Sequence, residues 1–111
     1  MKNPHVRAAR NPVRMQVFRR FFPQSEEIVF VAQEHDGPRY IEAGSPGKLA
    51  RKMAKFQEEN SDELRRRKFS LEWAAKRLPD SSGIIIAHEN RPVEDGERME
   101  FLREFGSIRS F

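Results

Sequence analysis

Lys48, Arg51, Lys52 and Lys55 recur at helical spacing, and Arg65, Arg66, Arg67 and Lys68 follow as an unbroken run that leads into Phe69 and the single Trp73. Residues of these types can do one recognisable kind of work. Ammonium and guanidinium groups attract phosphates, and an aromatic face beside them can stack on a base or fill a partner's pocket. Cations alone hold a backbone without reading its sequence.

The elements that must position these residues are legible in outline. Ser45 can cap a helix and Pro46 suits its first position. From there Leu49, Ala50, Met53, Ala54 and Phe56 fall in one arc, with Lys48, Arg51, Lys52 and Lys55 opposite, so the spacing predicts an amphipathic helix with a cationic outer face. A second helix is expected from Asn60-Ser61, with Asp62 and Glu63 complementing its N-terminus. Its stripe would be Leu64, Leu71, Ala75 and Leu78, which leaves Phe69 and Trp73 one turn apart on the other side among Arg65, Arg66, Lys76 and Arg77. The stripe stays in phase with Leu49 and Met53, so residues 46–78 form either two helices or one of roughly 50 Å. A break suits a small domain better. Burial of Phe69 and Trp73 beneath a neighbouring element is the competing reading of those two aromatics.

Around these helices, Ile28 to Ala32 is a β-branched apolar run that predicts a strand covered on both faces. Asp36-Gly37 predicts a turn in which the glycine takes positive φ, and Arg39 to Ala43 a shorter edge strand. Val13 to Phe22 fits a strand or a helix and must end at Pro23. Ile84, Ile85, Ile86 and Ala87 read as a central strand. Asn90 to Gly96 reads as a loop into a last helix that buries Phe101, Leu102 and Phe105 and stops at Gly106. The expected class is α+β: a hairpin plus a central strand, packed by two or three helices. Residues 13–111 would form one domain, preceded by a flexible basic arm over residues 1–12.

Charge is distributed in blocks. Residues 1–22 hold six bases and no acid, residues 23–44 one base and five acids, residues 45–79 ten bases and five acids, and residues 80–111 four bases and seven acids. Such alternation predicts a polarised surface if the basic blocks converge in space. Lys2, Arg7, Arg10 and Arg14 give the arm a route to a phosphate backbone or a minor groove. Equally, they could be a solubilising tail. The 111 residues include no cysteine, which suits a reducing compartment, and no apolar run reaches membrane-spanning length; the expectation is a cytoplasmic protein with no membrane partner.

Enzymatic readings are thin. Gly44 to Lys48 has a shorter glycine spacing than a phosphate loop and Leu49 where a hydroxyl would meet magnesium, so it predicts a helix start. Pro79-Asp80 followed by Glu89-Asn90-Arg91 resembles the core of the PD-(D/E)xK nucleases. That resemblance implies carboxylates holding magnesium and a cation aiding the attacking water, but Arg91 stands in the place of lysine. His5, His35 and His88 lack metal-site spacing, and no serine has the context of a nucleophile. The expectation is no metal, no cofactor and no catalysis.

The leading expectation is therefore a non-enzymatic binding module. It would engage nucleic acid or a ribonucleoprotein through Lys48, Arg51, Lys52, Lys55, Arg65, Arg66, Arg67 and Lys68, helped by Trp73 and by Arg7, Arg10 and Arg14. The alternative is a protein-interaction or inhibitor module, of the kind found among mobile-element accessory proteins, docking on a larger protein by charge complementarity. A metal-dependent nuclease stands a distant third.

Overall fold

Val13–Phe22, ambiguous between helix and strand in sequence, is a ten-residue strand (β1) that organises the sheet. The computed structural model describes residues 12–74 and 88–109. Within them the order is β1, β2 (Glu27–Glu34), β3 (Tyr40–Ala43), α1 (Pro46–Glu59), α2 (Ser61–Arg67), β4 (Phe69–Trp73), β5 (Glu89–Arg91) and α3 (Asp95–Arg109). Five strands form one mixed sheet in the order β3-β2-β1-β4, with β5 also on β1. With its three helices this is an α+β fold.

β1 serves three partners. One of its edges pairs antiparallel with β2 from Met15↔Glu34 to Phe22↔Glu27. The other is shared: β4 runs parallel beside Val13 to Val17, and β5 antiparallel beside Arg19 to Phe21. Because side chains alternate along a strand, Val13, Met15 and Val17 face one side and are buried, together with Phe30 and Ala32 of β2. Onto that side pack Leu49, Ala50 and Met53 of α1, Leu64 of α2 and Phe101 of α3. Each large side chain fully buried there contributes roughly 1.5–3 kcal/mol of transfer free energy. Phe18 and its cross-strand partner Val31 are buried on the opposite side with Ala74. The apolar run of β2 is thus covered on both faces from Phe30 to Ala32, as its sequence predicts, whereas Ile28 at its start is exposed.

The β2–β3 hairpin and the β3 edge position also match expectation, but the turn chemistry differs. Asp36, not Gly37, holds the positive φ, at 63°. A short polar side chain tolerates that region. Gly37 is needed for space, since a methyl group there would overlap the Glu34 carboxylate.

Several boundaries also need correcting. The second helix ends at Arg67, Lys68 reverses the backbone at φ 63°, and residues 69–73 are a strand, not a helical continuation. Residues 46–73 are therefore two helices and a strand. Gly106 does not stop the last helix, which continues to Arg109, and Leu102 is exposed instead of buried. The expected strand at Ile84–Ala87 lies outside the described residues, as does most of the basic arm. Among the described residues no helix is long and apolar enough to cross a membrane.

Candidate functional site

α1 begins as its sequence dictates. Ser45 is extended, and its Oγ accepts from the Lys48 backbone N–H at 3.2 Å, with Pro46 in the first turn. The Gly47 N–H donates to Glu100 Oε2 of α3 at 3.1 Å, so the Gly44–Lys48 stretch is a helix start tied to a neighbouring helix. With Leu49, Ala50, Met53 and Ala54 buried, Lys48, Arg51, Lys52 and Lys55 are all exposed on the outer side. Their environments differ. Arg51 Nη1 meets Glu104 Oε2 of α3 at 3.0 Å, and Lys52 Nζ donates to the Glu42 carbonyl at 2.8 Å. Among the described residues, neither Lys48 nor Lys55 has an acidic partner.

The basic run on α2 divides further. Arg66 and Lys68 are exposed with no ion pair among the described residues, and Arg65 is an exposed partner of Asp62 at 2.7 Å. Arg67 does not join them. Its guanidinium turns inward, to Glu63 at 2.6 Å and Glu34 at 4.0 Å. Arg39 reaches the same two carboxylates, Glu63 at 2.5 Å and Glu34 at 3.5 Å. Two acids and two bases thus close a cluster beneath α2, with the Glu34 side chain only 5% exposed. The hydrogen bond from Arg39, with Arg67 adding to it, holds the Glu63 carboxyl below the usual carboxylate range against the opposing effect of burial. Arg39 also lies over the Phe56 ring at 5.5 Å.

Trp73 is not an outward helical aromatic. In β4 the residues Phe69, Leu71 and Trp73 alternate with Ser70 and Glu72, so all three face the core cluster. Trp73 packs edge-to-face on Phe101 with centroids 5.3 Å apart, and Arg98 lies 5.9 Å from its ring. Phe69 packs on Phe56 at 6.3 Å. The period-two pattern Phe-Ser-Leu-Glu-Trp carried this signal.

Arg14 belongs to the sheet, where its Nε and Nη2 grip the two Glu72 oxygens at 2.7 and 3.2 Å. That hydrogen bond lowers the Glu72 carboxyl below its ordinary value and raises Arg14. Arg7 and Arg10 lie outside the described residues. Of the proposed basic set, the structure places Lys48, Arg51, Lys52 and Lys55 on the outer side of α1 and leaves Arg65, Arg66 and Lys68 exposed on and just after α2. It separates Arg67, Arg14 and Trp73 from that side. The Glu34–Arg39–Glu63–Arg67 cluster was missed, although the i,i+4 spacing of Glu63 and Arg67 signals one of its pairs.

Other chemistry is not assembled among the described residues. A cavity of about 200 Å³ is lined by Pro12, Arg14, Glu34, His35, Asp36 and Arg67, but its guanidiniums are engaged by Glu72, Glu63 and Glu34. His35 Nε2 lies 3.4 Å from Asp36, and His88 packs edge-on against Phe22 at 6.0 Å. Glu89 is paired with Arg91 at 2.7 Å, and Asp80, its expected partner in a nuclease-like site, lies outside the described residues. No group of three His, Cys, Asp or Glu side chains able to hold a metal occurs among the described residues. No family model, curated protein or solved structure matches the chain.

Proposed function

We propose that this protein is a binding module that engages nucleic acid, free or within a ribonucleoprotein, through the outer side of α1 and the exposed cations of α2. The observation that carries this reading is the contrast within one segment. Between residues 46 and 68 there are eight bases and four acids, and the partnered cations are chiefly those turned inward or toward α3. Lys48, Lys55, Arg66 and Lys68 are left exposed, with no ion pair among the described residues. Such groups displace counterions from a phosphate backbone and make affinity fall steeply with salt.

The test is a titration of labelled DNA and RNA across a salt series, comparing the parent with Lys55→Gln/Arg66→Gln. These positions serve better than Lys52, whose ammonium also holds the Glu42 carbonyl. The double variant should bind more weakly and flatten the log–log salt slope by about one to two. Binding that is absent, or indifferent to salt, would sink the reading.

A second reading has its own observation. Met99 and Leu102, one turn apart on α3, are 57% and 45% exposed. An exposed apolar pair on a helix rich in both acids and bases suits docking on a larger protein, with opposite charges setting orientation. Affinity purification after nuclease treatment separates the two: a stoichiometric protein partner lost on Met99→Lys favours docking, whereas recovery of nucleic acid only without nuclease favours the basic side.

A further inference from the structure

We infer that the nucleic acid taken by this side of the molecule is a duplex, held by its phosphates, and not a single strand. The inference rests on the nucleic-acid reading above and narrows it to one substrate class. It comes from where the aromatic residues are. The sequence has nine Phe, one Tyr and one Trp, and all of them except Phe111 fall among the described residues. Proteins that grip single strands without sequence preference combine a basic track with exposed rings on which bases stack, worth roughly 1–3 kcal/mol per base. Here the track is present and the rings face elsewhere.

The aromatics nearest the track are committed to the interior. Phe56, on α1 itself, packs against Phe69 of β4 and is capped by the Arg39 guanidinium. Trp73 meets Phe101 edge-to-face, and Phe101 in turn stacks on Phe105 at 5.5 Å. Tyr40 is the exposed aromatic among the described residues, at 42%. Its hydroxyl is taken by Arg20 at 3.0 Å and Glu42 at 2.6 Å, and the Arg20 guanidinium lies 5.5 Å from its ring. On β3, Tyr40 points to the sheet side opposite the helices, because it follows the Gln33 register and not that of Ala32 and Ile41.

What the track offers instead is charge on a straight support. The 14 residues of α1 give a rod of roughly 20 Å. Its cations sit on lysine stems that adjust to phosphate positions without demanding a base. With stacking removed, affinity follows charge density, and a duplex presents one phosphate per roughly 1.7 Å of axis against about half that density along one strand. A stiff duplex also matches a stiff helix without the ordering cost that a flexible strand would bring. Contacts made by these cations to phosphates carry no sequence information, so sequence preference should be slight.

The experiment is fluorescence anisotropy with the full chain, using a labelled random-sequence DNA duplex, the matching RNA duplex and one unstructured strand of each, over a salt series. The duplexes should bind at least about tenfold more tightly than the strands, with the steeper salt slope. In the Lys55→Gln/Arg66→Gln variant the duplex advantage should shrink, because it resides on this face. Single strands that bind as well as duplexes, or better, overturn the inference while leaving nucleic-acid binding in place. Failure of all four probes at low salt overturns the nucleic-acid reading itself. A duplex advantage undiminished in the variant places it on another surface and overturns the assignment to α1 and α2.

Discussion

The outer side of α1 and the cluster beneath α2 are built from the same residue types and behave in opposite ways. In the cluster, Arg39 and Arg67 each face Glu63 and Glu34, and their side chains are only about a quarter exposed. On α1, Lys48 and Lys55 are exposed and make no ion pair among the described residues, while Glu104 of α3 is engaged by Arg51. A charge that is paired and half-buried holds elements together and is costly to disturb. A charge left in water adds little to stability and is available for a partner. Composition counts both alike; only pairing geometry separates structural charge from presented charge.

That division can be strained from several directions. The largest expected effect lies with Trp73, whose helical reading would have placed it with the presented residues. Trp73→Ala should lower unfolding free energy by about 3 kcal/mol, by loss of its packing on Phe101, as read from a urea midpoint; an unchanged midpoint would return Trp73 to the surface. Next, Glu34→Ala leaves Arg39 and Arg67 competing for Glu63 and should cost about 2 kcal/mol, discounted from a fully buried pair because both guanidiniums are partly hydrated. Duplex affinity in that variant, measured where it is folded, should match the parent.

Smaller still is the acid dependence. Glu63 and Glu72 are both held below their ordinary value of 4.5 by guanidiniums. Their contribution is therefore present above pH 4.5 and is lost as pH falls through their folded values, when the unfolded chain binds the proton more readily. Stability followed by circular dichroism should decline on that acid side, and Glu63→Gln should soften the decline. The smallest effect belongs to α1: Lys48→Gln with Lys55→Gln should shift stability by no more than about 0.5 kcal/mol while weakening duplex binding. A large loss of stability there would mean these lysines are structural after all.

How much of this could be read in advance depended on the range of the determining contacts. The β2–β3 hairpin and α1 follow from local signals: a β-branched run, a turn dipeptide, a serine cap, a proline and a 3.6-residue apolar period. β4 did not emerge, because Leu64, Leu71, Ala75 and Leu78 fit a helix while the strand alternation spans only five residues. What decides the matter is pairing with Val13 to Val17, more than fifty residues away. Long sequence separation also hid the role of Arg67. Its pairing with Glu63 follows from i,i+4 spacing, but Glu34 arrives from β2 through tertiary packing. The turn was legible as a turn, though not that Asp36 would carry the positive φ and Gly37 would make room for a carboxylate.

The ammonium of Lys52 has a consequence for how copies of this protein meet one another. β3 is an outermost strand, and since the Glu34 N–H bonds the Arg39 carbonyl, the alternation of an antiparallel ladder turns the backbone of Tyr40 and Glu42 away from β2. Outward-turned peptide groups of this kind are a template for recruiting a foreign strand. Lys52 occupies one of them, the Glu42 oxygen, and sets a positive charge where an approaching copy would have to bring its own. Lys52→Ala should consequently raise light scattering in concentrated samples, and Lys52→Arg should suppress it again. Lys52, one of the exposed cations of α1, would thus also guard the molecule against self-association.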